Sequence, residues 1–157
     1  MRIRPATVDD AAAIAAVHVT SWQSGYRGLL PDALLDTRDV GRYTRGWTAL
    51  LTDGPGTALV AEDGGVVVGF VHVAPSRDDD APPTTGEVTT VYLHPDAWGR
   101  GWGGALLVAG QDVLRAGGCD ATTLGVLADN ARARRGTPLP AGGPTAPNGS
   151  SSAAAGR

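Results

Sequence analysis

The stretch that decides the fold is "HPDAWGRGWGGALL", from His94 to Leu107, in which four glycines and an arginine come directly before an apolar helical pattern. Glycines at a helix start let successive backbone N–H groups converge, and the helix dipole there favours an anion. Arg100 can add a charge-assisted contact from the side. The stretch therefore predicts a backbone cradle for a phosphate group, although the same glycines would also allow a tight turn between a strand and a helix.

Two common phosphate-binding motifs do not account for this stretch. Gly99, Gly101 and Gly104 formally match the dinucleotide fingerprint GxGxxG, but Pro95 and the residues after it separate them from the preceding strand. The candidate ribose-binding acid, Asp120, begins the next strand instead of ending it. All 13 basic residues are arginines, which excludes the lysine-dependent phosphate loop. The cradle is therefore expected to serve another phosphate-bearing ligand.

Composition sets the class of protein. With 157 residues and 42% hydrophobic residues, the chain is long enough for one domain with its own core. We expect that domain to span residues 1–135, and the Gly/Pro/Ser/Ala-rich residues 136–157 to form a disordered tail. A net charge of −3 offers no general attraction to nucleic acid or to an anionic membrane.

Cysteine content and the absence of a long apolar run indicate where in the cell the protein is expected. The single cysteine, Cys119, excludes an intramolecular disulfide and a cysteine zinc site. The N-terminus does not read as a signal peptide, and no 18-residue apolar stretch occurs in the sequence. A cytoplasmic protein without membrane contact is expected.

The segments around the glycine stretch predict an α+β fold. The pattern predicts a short strand at Ile3, a first helix capped by Thr7, and a second helical region from Pro31 to Leu51 interrupted near Gly41. A β-hairpin, a strand ending before Pro95, a helix after the glycines, a strand at "ATTLGVLADN" and a short basic helix capped by Asn130 follow in order.

The segment "EVTTVYLHPDAWGRGWGGALL", from Glu87 to Leu107, resembles the acyl-CoA signature of the GNAT superfamily of N-acetyltransferases: a strand, a proline, and the pattern (Q/R)xxGx(G/A) opening a long helix. Its GxG lies at Gly101 and Gly103, while Trp98 stands where the family has Gln or Arg. The order of elements agrees over about residues 1 to 135, as does "HVTSWQSGYRGLLP" for a subgroup. The resemblance implies an α/β/α layered fold with a mixed, mostly antiparallel sheet flanked by helices.

The resemblance also implies an activity. It is the transfer of an acetyl group from acetyl-CoA, as co-substrate, to a primary amine of a small molecule or peptide, by direct attack in a ternary complex. Cofactor contacts are carried over to the backbone of Val91 and Leu93, to the glycine loop and to Asn130; the loop residues are Arg100, Gly101, Trp102, Gly103 and Gly104. Acceptor-site candidates are Trp22, Tyr26 and Arg27.

Glu87 is the candidate catalytic residue, since family members often have a carboxylate acting as base through water at the start of the signature strand. The alternative is a solvated charge at a strand end. Strand alternation turns Tyr92 away from Val91 and Leu93, which favours packing, and His18 is expected to be a core or boundary histidine. His72 and His94 have no partners at ligand spacing, so no metal is expected.

The sequence departs from the family pattern near its end. In the motif NxxAxxxY, Asn130 and Ala133 fit, but Thr137 stands at the tyrosine position, and the final two strands of the sheet have no counterpart. We expect either a change of reading frame near Arg135 or a natural truncation in which a partner chain, as in a homodimer, covers the open sheet edge. A catalytically impaired acyl-CoA-binding module is the alternative function.

Overall fold

The computed structural model describes residues 1–124, which form a five-stranded sheet with helices on both faces. The strands are β1 (Arg2–Pro5), β2 (Thr57–Asp63), β3 (Val66–Pro75), β4 (Thr85–Leu93) and β5 (Ala121–Leu124). The α-helices are α1 (Ala11–Tyr26), α2 (Asp32–Leu35), α3 (Val40–Asp53) and α4 (Trp102–Ala116). Single 3-10 turns at Val8–Asp10 and Pro95–Ala97 precede α1 and the glycine stretch.

The sheet is mixed, with strand order β1-β2-β3-β4-β5. The first four strands pair antiparallel, and β5 pairs parallel to β4. The predicted hairpin joins β2 to β3, and Asp63 pairs with Val66 across a two-glycine turn. A mixed sheet of this kind requires a crossover between β4 and β5, which α4 supplies.

Two cores cover the two faces of the sheet. Phe70 and Val71 are both fully buried neighbours on β3, and strand alternation sends them to opposite faces. Phe70 packs with Ile14 of α1 and Trp47 of α3, whereas Val71 packs with Leu106 of α4. The predicted α/β/α layering is confirmed.

The helical boundaries differ from the prediction in two places. Thr7 precedes a 3-10 turn instead of α1 itself; Asp10 accepts a hydrogen bond from the Thr7 backbone N–H at 2.8 Å, and α1 then begins at Ala11. The second helical region is two helices, because the Asp39 carboxylate accepts from the Gly41 N–H at 2.8 Å and starts α3 there. The predicted interruption therefore falls just before Gly41, which lies in the first turn of α3.

Several predictions from the sequence concern residues outside 1–124. Asn130, the basic helix after it, the tail at 136–157, and the question of reading frame or truncation near Arg135 lie outside the described residues. Within 1–124, the helices are too short or too polar to cross a membrane.

An ion cluster ties β1, β2 and the start of α1 together. The Arg4 guanidinium binds both carboxylate oxygens of Asp10 at 2.8 Å and reaches Glu62 at 2.6 Å. Asp10 is buried. The hydrogen bonds from Arg4 lower the pKa of Asp10 from its ordinary value of 3.8 to about 2, despite the opposing effect of burial.

We therefore expect Asp10 to make folding stability sensitive to acid. The pKa is lower in the folded chain than in the unfolded chain, so the stabilisation is complete above about pH 4 and is lost as pH falls toward 2. Asp10→Asn should lower the free energy of unfolding at pH 7 by about 2 kcal/mol and remove that part of the acid sensitivity, measured by urea unfolding. Asp9→Asn, at the exposed neighbouring position, is the control. Equal losses for Asp10→Asn and the natural chain between pH 5 and pH 2.5 would contradict the assignment.

Candidate active site

The glycine loop presents backbone N–H groups at the start of α4. Gly99 and Gly101 both have a φ of +78°, a conformation that other residues rarely adopt, and Gly101 immediately precedes α4. The first helical hydrogen bond runs from the Ala105 N–H to the Gly101 carbonyl at 3.2 Å. The N–H groups of the three residues between them have no partner within the helix. A Cβ atom built at Gly104 would meet nothing within 4 Å, so the loop is open on that side.

A gap in strand pairing leads up to this loop. β5 pairs with β4 over Thr85–Val88, and the register with β3 then shifts: Val88 pairs with Val73, but Thr90 pairs with His72. Thr89 is therefore an extra residue, a β-bulge, where β4 bends. Beyond the bulge, within residues 1–124, the edge of β4 that faces β5 carries no paired strand.

Backbone groups of Val91 and Leu93 face this gap. In an antiparallel pair, alternate residues turn their backbone groups toward the partner strand. The His94 N–H donates to the Val68 carbonyl of β3 at 2.8 Å, so Val91 and Leu93 turn theirs to the opposite side. The Trp98 indole N–H donates to the Leu93 carbonyl at 2.9 Å, which leaves the Leu93 N–H and both groups of Val91 directed at the gap.

Trp98, which departs from the family pattern, thus has a defined structural role. Its hydrogen bond to Leu93 joins the end of β4 to the segment that enters the glycine loop. The sequence alone marked this position only as a departure.

His72 holds the bulge from the β3 side. Its Nε2 lies 3.1 Å from the Pro55 carbonyl, which can only accept, so Nε2 carries a proton. Its Nδ1 lies 2.6 Å from the Thr89 hydroxyl. Burial lowers the pKa of His72, and in the neutral ring Nδ1 accepts from Thr89. A histidine within the apolar run "VVVGFVHVA" was a visible signal of a special position, but the sequence did not indicate its partner.

Glu87 lies two residues before the bulge. The Val88 side chain belongs to the core beneath α4, so strand alternation places Glu87 on the α1/α3 face. Its side chain is 22% exposed and is 3.3 Å from Arg77, which is itself exposed. The negative charge of Glu87 acts on His72, where it opposes the lowering of the His72 pKa. A half-buried carboxylate therefore lies on the same face as the bulge residues.

An aromatic cluster extends from Glu87's face of β4 to the first helices. His18 of α1 stacks on Tyr92 at a ring-centroid distance of 4.6 Å and meets the edge of Tyr43 at 4.7 Å. The Trp47 indole N–H donates to His18 Nδ1 at 3.4 Å. Burial, and then the charge of Arg38, lower the pKa of His18 to about 4, so the ring is neutral at pH 7 with its proton on Nε2.

The three predicted acceptor residues do not all join this cluster. Trp22 and Tyr26 lie together, with ring centroids 5.1 Å apart. Arg27 is exposed and pairs instead with Asp32 at 3.3 Å and Asp36 at 3.6 Å.

A different arginine, Arg38, contacts the Trp22 ring. Its guanidinium carbon lies 3.5 Å from the centroid of the Trp22 ring, and its Nη1 donates to the Tyr43 hydroxyl. No motif singled out Arg38, because it lies in the break between α2 and α3 and meets Trp22 only in the folded chain.

A cavity borders the glycine loop. Its volume is about 260 Å³, and Arg100 and Trp102 line one side of it, but its other walls are the β2–β3 hairpin and the His94 segment, away from the gap. Within residues 1–124, no group of three or more His, Cys, Asp or Glu side chains is arranged to hold a metal ion.

Comparison with known proteins agrees with this arrangement. The chain is 30% identical over 129 residues to the uncharacterized N-acetyltransferase YuaI of Bacillus subtilis (strain 168), covering 82% of this chain and 72% of YuaI. The structure of YncA, a putative acetyltransferase from Salmonella typhimurium with its cofactor acetyl-CoA, is similar with a TM-score of 0.62 and 28% identity, over 87% of this chain and 75% of that one.

A more distant structure shares the fold. The PaiA N-acetyltransferase of Thermoplasma acidophilum, in complex with coenzyme A, has a TM-score of 0.67 and 17% identity, over 83% of this chain and 81% of that one. Residues 19–135 match the Acetyltransferase (GNAT) family model. The family model and the match to YuaI show that the chain belongs to the GNAT family of acetyltransferases.

Proposed function

We propose that this protein transfers the acetyl group of acetyl-CoA to a primary amine by direct attack in a ternary complex. The observation that carries the proposal is the gap along β4: within residues 1–124, no strand pairs with its β5-facing edge between the Thr89 bulge and the glycine loop. One end of the gap offers backbone groups for an extended chain, and the other end offers N–H groups for an anion. Acetyl-CoA combines these two requirements in one molecule.

The residues present fit that co-substrate. The backbone N–H groups from Arg100 to Gly104 would hold the pyrophosphate at the start of α4, where the dipole favours negative charge. Val91 and Leu93 would pair with the pantetheine arm as if it were another strand. Gly103 and Gly104 leave the approach free of side chains. Asn130 remains a predicted contact outside the described residues.

The chemistry needs a polarised carbonyl and a proton acceptor. A β4 backbone N–H facing the gap, such as that of Val91, is suited to stabilise the oxyanion that forms when the amine attacks the thioester carbon. Glu87 would accept, through water, the proton that the attacking amine loses. Attack by the amine forms the C–N bond and the oxyanion; collapse of the oxyanion then restores the carbonyl, breaks the C–S bond and releases CoA as the thiolate. Holding both substrates in one site supplies much of the remaining rate.

The acceptor is expected to reach the site from the side of α1 and α3. Trp22 and Tyr26 remain the candidate acceptor residues, and their ring centroids lie 5.1 Å apart. Arg38 joins Trp22 to the aromatic cluster, because its guanidinium lies over the Trp22 ring and donates to the Tyr43 hydroxyl. Arg27 remains a weaker candidate because two carboxylates already engage its guanidinium. A small-molecule or peptide amine fits this description.

Calorimetry followed by a thiol-release assay tests the proposal. Acetyl-CoA should bind with one site per chain, and free CoA should appear only when an amine acceptor is also present. Binding without thiol release across a broad amine panel would favour the impaired acyl-CoA-binding module instead. Absence of binding would refute both functions.

A further inference from the structure

Arg38 differs from the other arginines of residues 1–124 because it is half-buried and yet has no carboxylate of that range within 4.0 Å. The ion-paired arginines in that range are Arg4, Arg27, Arg77 and Arg115. The others are all exposed: Arg2, Arg42, Arg45 and Arg100. A half-buried guanidinium with no acidic partner among the described residues needs a physical explanation.

The two carboxylates nearest to Arg38 along the chain are directed elsewhere. Asp36 lies 3.6 Å from Arg27, and Asp39 accepts from the Gly41 N–H at the start of α3. The charge of Arg38 is felt by the neighbouring rings, since it lowers the pKa of His18 and opposes the rise that burial causes in the pKa of Tyr92. Within the described part of the chain, this corner of the site therefore carries a positive charge.

Arg38 is also held in a fixed position. The face of Trp22 supports its guanidinium at 3.5 Å, and the Tyr43 hydroxyl accepts one of its N–H groups. A guanidinium has five N–H donors, so this arrangement leaves several donors for a ligand. Because the Arg38 side chain is already ordered, it loses less conformational entropy when it binds an anion than a mobile arginine would lose.

The position of Arg38 relates it to the reaction site. Tyr43 connects it to His18, and His18 stacks on Tyr92, which lies between Val91 and Leu93 on β4. The backbone groups of those two residues face the gap. Arg38 thus lies at the outer end of a continuous cluster whose inner end is the strand beside the gap.

We propose that Arg38 binds a carboxylate of the acceptor, so that the acceptors of this protein are amines that also carry a carboxylate, such as amino acids. This inference rests on the proposed acetyltransferase function. A guanidinium matches a carboxylate through two parallel N–H···O bonds. One arginine balances one negative charge, which suits a carboxylate better than a doubly charged phosphate.

The test compares amino acids with their amides, such as phenylalanine with phenylalaninamide and alanine with alaninamide. The amide keeps the side chain and the amine but removes the negative charge. The natural chain should acetylate the carboxylate form with a kcat/KM at least about ten-fold higher than that of the amide, measured by release of CoA. This comparison needs no variant, so it does not depend on any substitution folding.

Arg38→Gln assigns the preference to the residue. It should raise KM for the amino acid by about ten- to a hundred-fold, leave its kcat nearly unchanged, and leave both constants for the amide unchanged. Arg38→Lys should keep part of the preference because it keeps the charge but loses the planar fork. Arg45→Gln, at an exposed arginine of α3, is the matched control and should keep the full preference.

The outcomes separate this inference from the function on which it rests. Equal acetylation of amino acids and amides by the natural chain, or an equal loss for both in Arg38→Gln, would overturn the role of Arg38 but leave the acetyltransferase proposal standing. Acetyl-CoA binding without acetylation of any amine in the panel would overturn both.

Discussion

Replacing Glu87 by glutamine should lower kcat for acetyl transfer by about 100- to 1,000-fold, because a general base contributes to the rate on that scale. Glutamine keeps the size of the side chain but cannot accept the proton of the attacking amine. Glu87 lies on the α1/α3 face of β4, away from α4 and the glycine loop. The affinity of Glu87→Gln for acetyl-CoA should therefore stay within about two-fold of that of the natural chain. Steady-state kinetics and calorimetry on the same variant measure the two quantities.

Arg77→Gln is the matched control for Glu87. It removes the same ion pair, found at 3.3 Å, from the other side and keeps the carboxylate. Because Arg77 is exposed, loss of this pair should change stability by less than about 1 kcal/mol, and activity should remain within a few-fold. The defect of Glu87→Gln should also shrink for an acceptor whose amine has a low pKa, since that amine needs less help to lose its proton. A change in kcat of only a few-fold in Glu87→Gln would identify Glu87 as a solvated charge at a strand end, and an equally large loss in both variants would assign the effect to the ion pair instead of to the carboxylate.

Replacing Gly104 by aspartate should weaken acetyl-CoA binding by about 100-fold, which corresponds to about 2.7 kcal/mol. The new carboxylate would lie in the first turn of α4, close to the expected position of the pyrophosphate, and like charges at such short distance repel by several kcal/mol at most. A Cβ atom here meets no atom within 4 Å, so we expect the substitution to leave the packing of α4 intact. Calorimetry gives the change in Kd.

The same substitution should stabilise the fold, which separates the effect on binding from damage to the protein. An aspartate in the first turn favours the helix dipole, and loss of a glycine reduces the entropy of the unfolded chain. A gain of about 0.5–1 kcal/mol in the free energy of unfolding is expected. Gly104→Asn, with the same shape and no charge, should lose much less affinity. If neither substitution weakens binding, the pyrophosphate does not lie at this helix start.

Much of the cofactor side of the site was predictable because it depends on neighbours in the chain. The glycines at 99 and 101 adopt a φ of +78°, and the apolar pattern after them forms α4 as expected. The predicted hairpin likewise joins β2 to β3 across the two glycines. Backbone conformation and periodicity are local properties, and so a single sequence carries them.

The acceptor side was less predictable because it depends on contacts between distant residues. Arg27 and Arg38 are both arginines near the first two helices, and nothing in the sequence indicated that carboxylates engage the first while Trp22 supports the second. The bond from Trp98 to Leu93 was equally hidden, since it requires the turn after β4 to fold back on the strand.

The sequence alone therefore specified the order of elements, the glycine loop and the family, because backbone preferences and hydrophobic spacing act over a few residues. The tertiary structure decided where β4 bends and which edge it leaves open, because the bulge at Thr89 depends on its register with β3 and on the distant His72. It also decided that Arg38 stands over Trp22 with no carboxylate of residues 1–124 within 4.0 Å, because Trp22 and Arg38 meet only when the chain folds back after α1, while Asp36 lies beside Arg27 and Asp39 caps α3.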